Sequence, residues 1–147
     1  MFAEQMLAKA QQRLVTISAA APVTEAADLM STPHVDLIVV CGPDGGMVGV
    51  LTKTDIVAQI RHFIGSGCTT RVDAIMTSGV IFCRPDEALK DIWSVMKAHG
   101  LQRIPMIDQS RKPIGVVYAR DALQELIGEV ESDEALLRDY VMNVGYQ

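Results

Sequence analysis

Apolar positions along this chain fall into two similar series. Val23, Ala26, Ala27 and Met30 stand at i, i+3, i+4 and i+7, the spacing of one face of a half-buried helix. Leu89, Ile92, Trp93 and Met96 repeat that face 66 residues later. Each helical face is preceded by a short extended run (14–17 and 80–83) and a turn holding Pro22 or Pro85. Two β-rich apolar runs follow, 37–41 and 48–51, split by Gly42, Pro43, Asp44, Gly45 and Gly46. Residues 104–107 and 114–118 repeat them around Asp108 to Pro113, so each pair reads as a hairpin. A second helix closes each unit, with Ile56, Val57, Ile60, Phe63 and Ile64 on its apolar face in the first copy. Ala122, Leu123, Leu126 and Ile127 play that part in the second.

The offset of 66 holds without a gap from Leu14 to Gln59. Only five of the 46 aligned pairs are identical, so the weight rests on apolar pattern and turn residues staying in phase. Each copy is a β-α-β-β-α unit too small to bury its own sheet. Packing two copies sheet against sheet solves that problem and predicts an α/β fold of two paired repeats. Asp86 is placed to cap the first helix of the second copy. The spacing also predicts helices at both ends, 2–13 and 133–144, the latter capped by Ser132. The expected organisation is an N-terminal helix (1–13), two repeats (14–66 and 67–128) and an acidic C-terminal helix and tail (129–147).

Composition narrows the function. With 49% apolar and 21% charged residues the chain is of the folded, globular kind. It has no apolar run near the ~18 residues of a membrane span and no secretory leader, which predicts a cytoplasmic protein without a membrane partner. Net charge is −5, and five acids between Glu129 and Asp139 against Arg138 account for −4 of it. A near-neutral body with an acidic end has no electrostatic footprint for nucleic acid. Cys41 and Cys83 lie in apolar stretches and read as buried thiols, whereas Cys68 sits in a Gly-Ser-Gly context that suggests exposure. His34, His62 and His99 are far apart and lack metal-ligand spacing. No nucleophile elbow, phosphate loop or dinucleotide fingerprint is present, so the chain is not expected to be an enzyme or to carry a cofactor or metal.

The most informative string runs from Gly49 to Asp55: a strand ending in Thr52, with Asp55 three residues on at a helix start. A capping box between Thr52 and Asp55 accounts for the spacing by itself. The same junction offers free backbone N–H groups to a phosphate, a hydroxyl from Thr52, and a carboxylate able to accept from two ribose hydroxyls.

The repeat, together with a Gly-apolar-apolar-Thr-x-x-Asp ending and the Met76-Thr77 pair opening the second copy, resembles the cystathionine β-synthase (CBS) domain in tandem, the Bateman module. The resemblance covers about residues 10–128. It implies that the repeats pack as a pseudo-two-fold pair with two composite clefts, where many members hold adenosine-containing ligands such as AMP, ADP, ATP or S-adenosylmethionine. Carried across, the first cleft combines Thr52, Lys53 and Asp55 with Thr77, Ile81, Gln102, Arg103, Ile104 and Pro105. Asp55 would hold the ribose and Thr52 a phosphate. Thr77 and the stretch from Gln102 to Pro105 would bracket the base, and Lys53 and Arg103 would add positive charge. The second cleft departs from the pattern: Tyr118 replaces the threonine, Val39 the proline, and Asp36 stands at the position of Gln102. Asp121 and Arg120 remain there as ribose candidates. The expectation is a regulatory, ligand-sensing module that forms a homodimer and acts on an effector protein. A structural dimerisation module without ligand is the alternative.

Overall fold

A computed structural model describes residues 1–60 and 70–145. The first copy contains β1 (Thr16–Ser18), α2 (Val23–Met30), β2 (Leu37–Cys41), β3 (Met47–Thr52) and α3 (Lys53–Ile60), preceded by α1 (Leu7–Arg13). The second contains α4 (Leu89–Ala98), β4 (Arg103–Ile107), β5 (Pro113–Tyr118) and α5 (Ala119–Gly145). Single turns of 3₁₀ helix, Ala3–Met6 and Val72–Ala74, lie in the two segments that lead into the copies.

The sheets obey the 66-residue offset down to individual pairs. In the first, β1 runs parallel to β2 with Ile17 opposite Val40, and β2 is antiparallel to β3 with Ile38 opposite Leu51. In the second, Ile104 stands opposite Val117. Even the irregularity recurs, between Val40 and Cys41 and again between Met106 and Ile107. Residues 80–83, expected as a strand, form only a bridge from Cys83 to Met106, the counterpart of Ile17 to Val40. Its bonds, Cys83 N–H to Pro105 O (2.9 Å) and Ile107 N–H to Cys83 O (2.9 Å), hold the run extended without a full ladder.

Alternation along β2 divides the core. Ile38 and Val40 face the helices of their own copy, joining Ile17, Ala26, Met30, Leu51 and Ile56. Leu37 and Val39 face the other way and meet Ile107 and Val116 of the second sheet, with Met47 and Val50. This central layer makes the two sheets one body. Leu89, Ile92, Met96, Ile104, Met106 and Val117 form the corresponding outer core of the second copy.

The leaders cross over. Ala3, Met6 and Ala10, which precede the first copy, are buried in the core of the second. Val72, with Ile75 and Met76 packed beside it, belongs to the core of the first. Glycine identity at two repeat positions follows from this. A Cβ on Gly115 would meet the Cβ of Ala10 at 2.6 Å and its carbonyl carbon at 2.9 Å; one on Gly49 would meet Met76 Sδ and the Thr77 carbonyl oxygen, each at 2.7 Å.

Three expectations are corrected. Asp86 does not cap α4: Ala88 is the capping residue, and the Leu89 amide donates to the Met1 carbonyl at 2.9 Å, so the crossing leader closes the helix end. The separate C-terminal helix capped by Ser132 does not exist, because α5 runs unbroken for 27 residues. A single Gly128 costs a helix about 1 kcal/mol relative to Ala, too little to interrupt it without a proline. Val57, expected on the buried face of α3, is 60% exposed, while Ile56 is buried. The side chains of Ile60, Phe63, Ile64 and Cys68 lie outside what is described. Cys83 is buried as expected, and desolvation pushes its thiol up to about 12. Cys41 is half-buried and shifted the same way for the same reason. No helix among the described residues is long and apolar enough to cross a membrane.

Gly115→Ala should destabilise the protein by about 1–3 kcal/mol, because the obstruction includes helix backbone and cannot be relieved by a rotamer change. Urea unfolding measures it. An unchanged midpoint would mean that α1 is not held against β5 as described.

Candidate functional site

Leu37 pairs with Thr52 across the β2–β3 hairpin, which sets Asp36 beside the junction where β3 passes into α3. Thr77 is tied to the same strand by two backbone bonds, Val50 N–H to Thr77 O (3.0 Å) and Thr77 N–H to Val50 O (2.9 Å). The second copy contributes the start of β4. Between them lies a cavity of about 460 Å³, a size suited to a small ligand. Apolar walls come from Leu37, Val50, Val80, Ile81, Leu101 and Ile104. Polar groups come from Asp36, Thr52, Thr77, Gln102 and Arg103.

Of the residues expected in the first cleft, Thr52, Thr77, Ile81, Gln102, Arg103 and Ile104 line this cavity. Asp55 stands behind two of them. Its carboxylate accepts from the Thr52 amide (2.9 Å), the Thr52 hydroxyl (3.1 Å) and the Thr77 hydroxyl (3.3 Å). The Asp55 amide in turn donates to Thr52 Oγ1 at 3.3 Å. The capping box is therefore real, and it fixes two hydroxyls at the cavity wall. Lys53 is exposed and reaches the cavity through its ion pair with Asp36. Pro105 is buried in β4 opposite Val116 and is not part of the lining.

Asp36 departs from its expected place. The repeat alignment assigns it to the second cleft, yet its carboxylate lies in the first cavity. It accepts from Arg103 Nη2 at 2.9 Å and pairs with Lys53 Nζ at 3.1 Å. The hydrogen bond from Lys53 holds the Asp36 carboxyl below the usual carboxylate range, with the Arg103 charge adding to it and desolvation opposing. Arg103 is also oriented by Tyr118, whose ring centre lies 4.9 Å from its guanidinium carbon. Arg103 Nε is buried with no hydrogen-bond partner among the described residues. Long-range pairing of this kind leaves no local signal. The one available hint is the carboxylate at position 36 facing cationic residues across the pseudo-two-fold.

The second junction is built differently. Asp121 is 3% exposed, and its carboxylate is gripped by Arg13 through two bonds of 3.2 and 3.3 Å, with Lys9 at 3.5 Å. Tyr118 fills the threonine position, with Arg13 4.2 Å from its ring centre and its hydroxyl donating to the His34 carbonyl at 3.4 Å. The space left beside Tyr118, Ala119 and Arg120 is about 200 Å³, and Asp121 does not line it. No cluster of three or more metal-ligating side chains occurs among the described residues.

Comparison with known proteins agrees with this architecture. The CBS domain family model matches residues 8–62 and 72–128. Homoserine O-acetyltransferase of Methanosphaerula palustris is 35% identical over 112 residues, 76% of this chain but 22% of that protein. Inosine-5′-monophosphate dehydrogenase of Methanocaldococcus jannaschii is 26% identical over 111 residues, 76% of this chain and 21% of the enzyme. The chain thus spans about a fifth of each of these relatives. Among solved structures, the CBS domains of a transcriptional regulator from Streptococcus pneumoniae superpose with a TM-score of 0.71 at 17% identity, covering 84% of this chain and 98% of that one. A CBS domain pair in complex with 5-methylthioadenosine and S-adenosyl-L-methionine gives 0.69 at 21% identity, covering 88% and 97%. Two tandem matches, each falling on one sheet with its flanking helices, make the chain a member of the CBS domain family, arranged as a pair.

Proposed function

We propose that this protein is a regulatory module that senses an adenosine-containing ligand in the cavity beside Thr52. The observation that carries the reading is the pairing of apolar walls with the triad of Thr52, Asp55 and Thr77. Leu37, Val50, Ile81 and Ile104 suit the faces of a purine, and the hydroxyls of Thr52 and Thr77, held by Asp55 behind them, suit a ribose. The CBS pair bound to 5-methylthioadenosine and S-adenosyl-L-methionine supports that ligand class. The cleft contains residues from both copies, so occupancy bears on how the copies sit together and on what a partner meets. The hydroxyl–carboxylate contacts of Thr52 and Asp55 are those of a helix-capping box, which supports sensing rather than catalysis. A cytoplasmic location fits a ligand of this class.

A homodimer belongs to the same reading. Trp93, Leu123, Leu126, Ile127 and Val130 line a groove of about 730 Å³ between α4 and α5, with Lys90 and four acidic residues of α5 also in its lining. Farther along α5, Leu137, Tyr140 and Val141 are 57–66% exposed. The spacing is heptad-like, since Leu123, Val130 and Leu137 recur every seventh residue on one helix face. A second copy offers the same stripe, and two-fold pairing covers both at once.

Asp55→Asn should weaken 5-methylthioadenosine or S-adenosylmethionine binding by roughly ten- to a hundredfold, the cost of losing the charged acceptor that holds both hydroxyls at the cavity wall. Asparagine retains one oxygen for the Thr52 cap, so the melting temperature should change little. Asp121→Asn should do the reverse, lowering stability by releasing Arg13 while leaving affinity unchanged. Calorimetry and thermal denaturation on the same samples measure both, and loss of binding only in the Asp121 variant would reverse the assignment. Light scattering at micromolar concentration should give twice the chain mass; a monomer mass would refute the dimer.

A further inference from the structure

We infer that Asp36 selects the charge class of the ligand, favouring a neutral or cationic 5′ substituent over a 5′-phosphate; this rests on the adenosine reading above. The resemblance alone would put a phosphate at Thr52, with Lys53 and Arg103 adding positive charge. In the structure both cations are already engaged by one carboxylate, Lys53 Nζ at 3.1 Å and Arg103 Nη2 at 2.9 Å.

Breaking those two ion pairs is not the main obstacle, because all three side chains are partly exposed and such pairs are weak. Position is the obstacle. Asp36 directly precedes β2, and Leu37 pairs with Thr52, so the carboxylate is carried on a strand end fixed opposite the junction. It lines the same cavity as Thr52 and Arg103 whether or not its ion pairs persist. Arg103 is held toward Asp36 by its place over the Tyr118 ring, 4.9 Å from the ring centre. Charge in the neighbourhood is balanced, with Asp36 and Asp55 against Lys53 and Arg103. A phosphate brings about two further negative charges into a space that already holds a carboxylate. Like charges at that range disfavour each other. A thioether leaves the network intact, and a sulfonium is attracted by the carboxylate.

Two ligands that share a nucleoside and differ at the 5′ position isolate the effect. By calorimetry on the full chain, 5-methylthioadenosine should bind at least about tenfold more tightly than AMP. Asp36→Asn should tighten AMP by about tenfold and leave 5-methylthioadenosine within about twofold, as expected for removing one nearby like charge. Asp36→Ser, which also removes the charge, should reproduce the change if either variant folds poorly. Tighter binding of AMP than of 5-methylthioadenosine by the unmodified protein would overturn the inference. So would an equal response of both ligands to Asp36→Asn, and in that case the adenosine site itself would stand. Failure of both ligands to bind either protein would remove the site and the selection together.

Discussion

The contact on which this structure depends is the close approach of each leader to the opposite copy's sheet, at Gly49 and Gly115. No side chain fits at either glycine, and the space they leave lets Met76 and Thr77 lie on β3 and Ala10 lie on β5. The leaders bury their apolar residues in a core that is not their own, so the two copies are fastened twice: once through the crossed segments and once through the central layer of Val39, Val50, Ile107 and Val116. The cavity beside Thr52 follows directly. Thr77 belongs to the second copy's leader by sequence and to the first copy's wall in space, and without the crossing Asp55 would lose its bond from that hydroxyl.

Duplicated scaffolds need not duplicate function, and here the two junctions have diverged by identifiable steps. Where Thr52 leaves room, Tyr118 fills it and receives two guanidinium groups. Where Asp55 holds hydroxyls at a cavity wall, Asp121 is buried under Arg13 and Lys9. A buried carboxylate without partners would be costly, so once the leader supplies Arg13 the aspartate is committed to holding α1. One member of the pair serves as a strut, while the other stands behind the cavity wall and holds its two hydroxyls. The same tyrosine orients Arg103 across the interface, which ties the closed junction to the open one.

The fold is legible in the sequence because its signal is periodic. Ile38 and Ile104, Gly49 and Gly115, and Asp55 and Asp121 stay in register over an entire copy, and the strand pairing reproduces that register residue for residue. Six cavity-lining positions are also legible through the resemblance, from Thr52 to Ile104. Local capping rules fail where a distant segment takes over, as at Asp86, whose task passes to the Met1 carbonyl. Helix ends are misplaced where only a glycine marks them, as at Gly128. Alignment of the copies puts Asp36 in the other cleft because it reports equivalent positions and does not report which way a side chain reaches.

The crossed leaders also constrain the order in which a growing chain can settle. Ala3, Met6 and Ala10 are made about a hundred residues before their partners Ile104, Met106 and Val117. Until β5 has left the ribosome, the opening segment has nowhere to bury its apolar side and the first sheet lacks its opposing layer. Such long-range closure is slow compared with local helix formation. Emerging intermediates therefore keep an uncovered apolar surface until β5 is available, and consolidation of the pair waits for that strand.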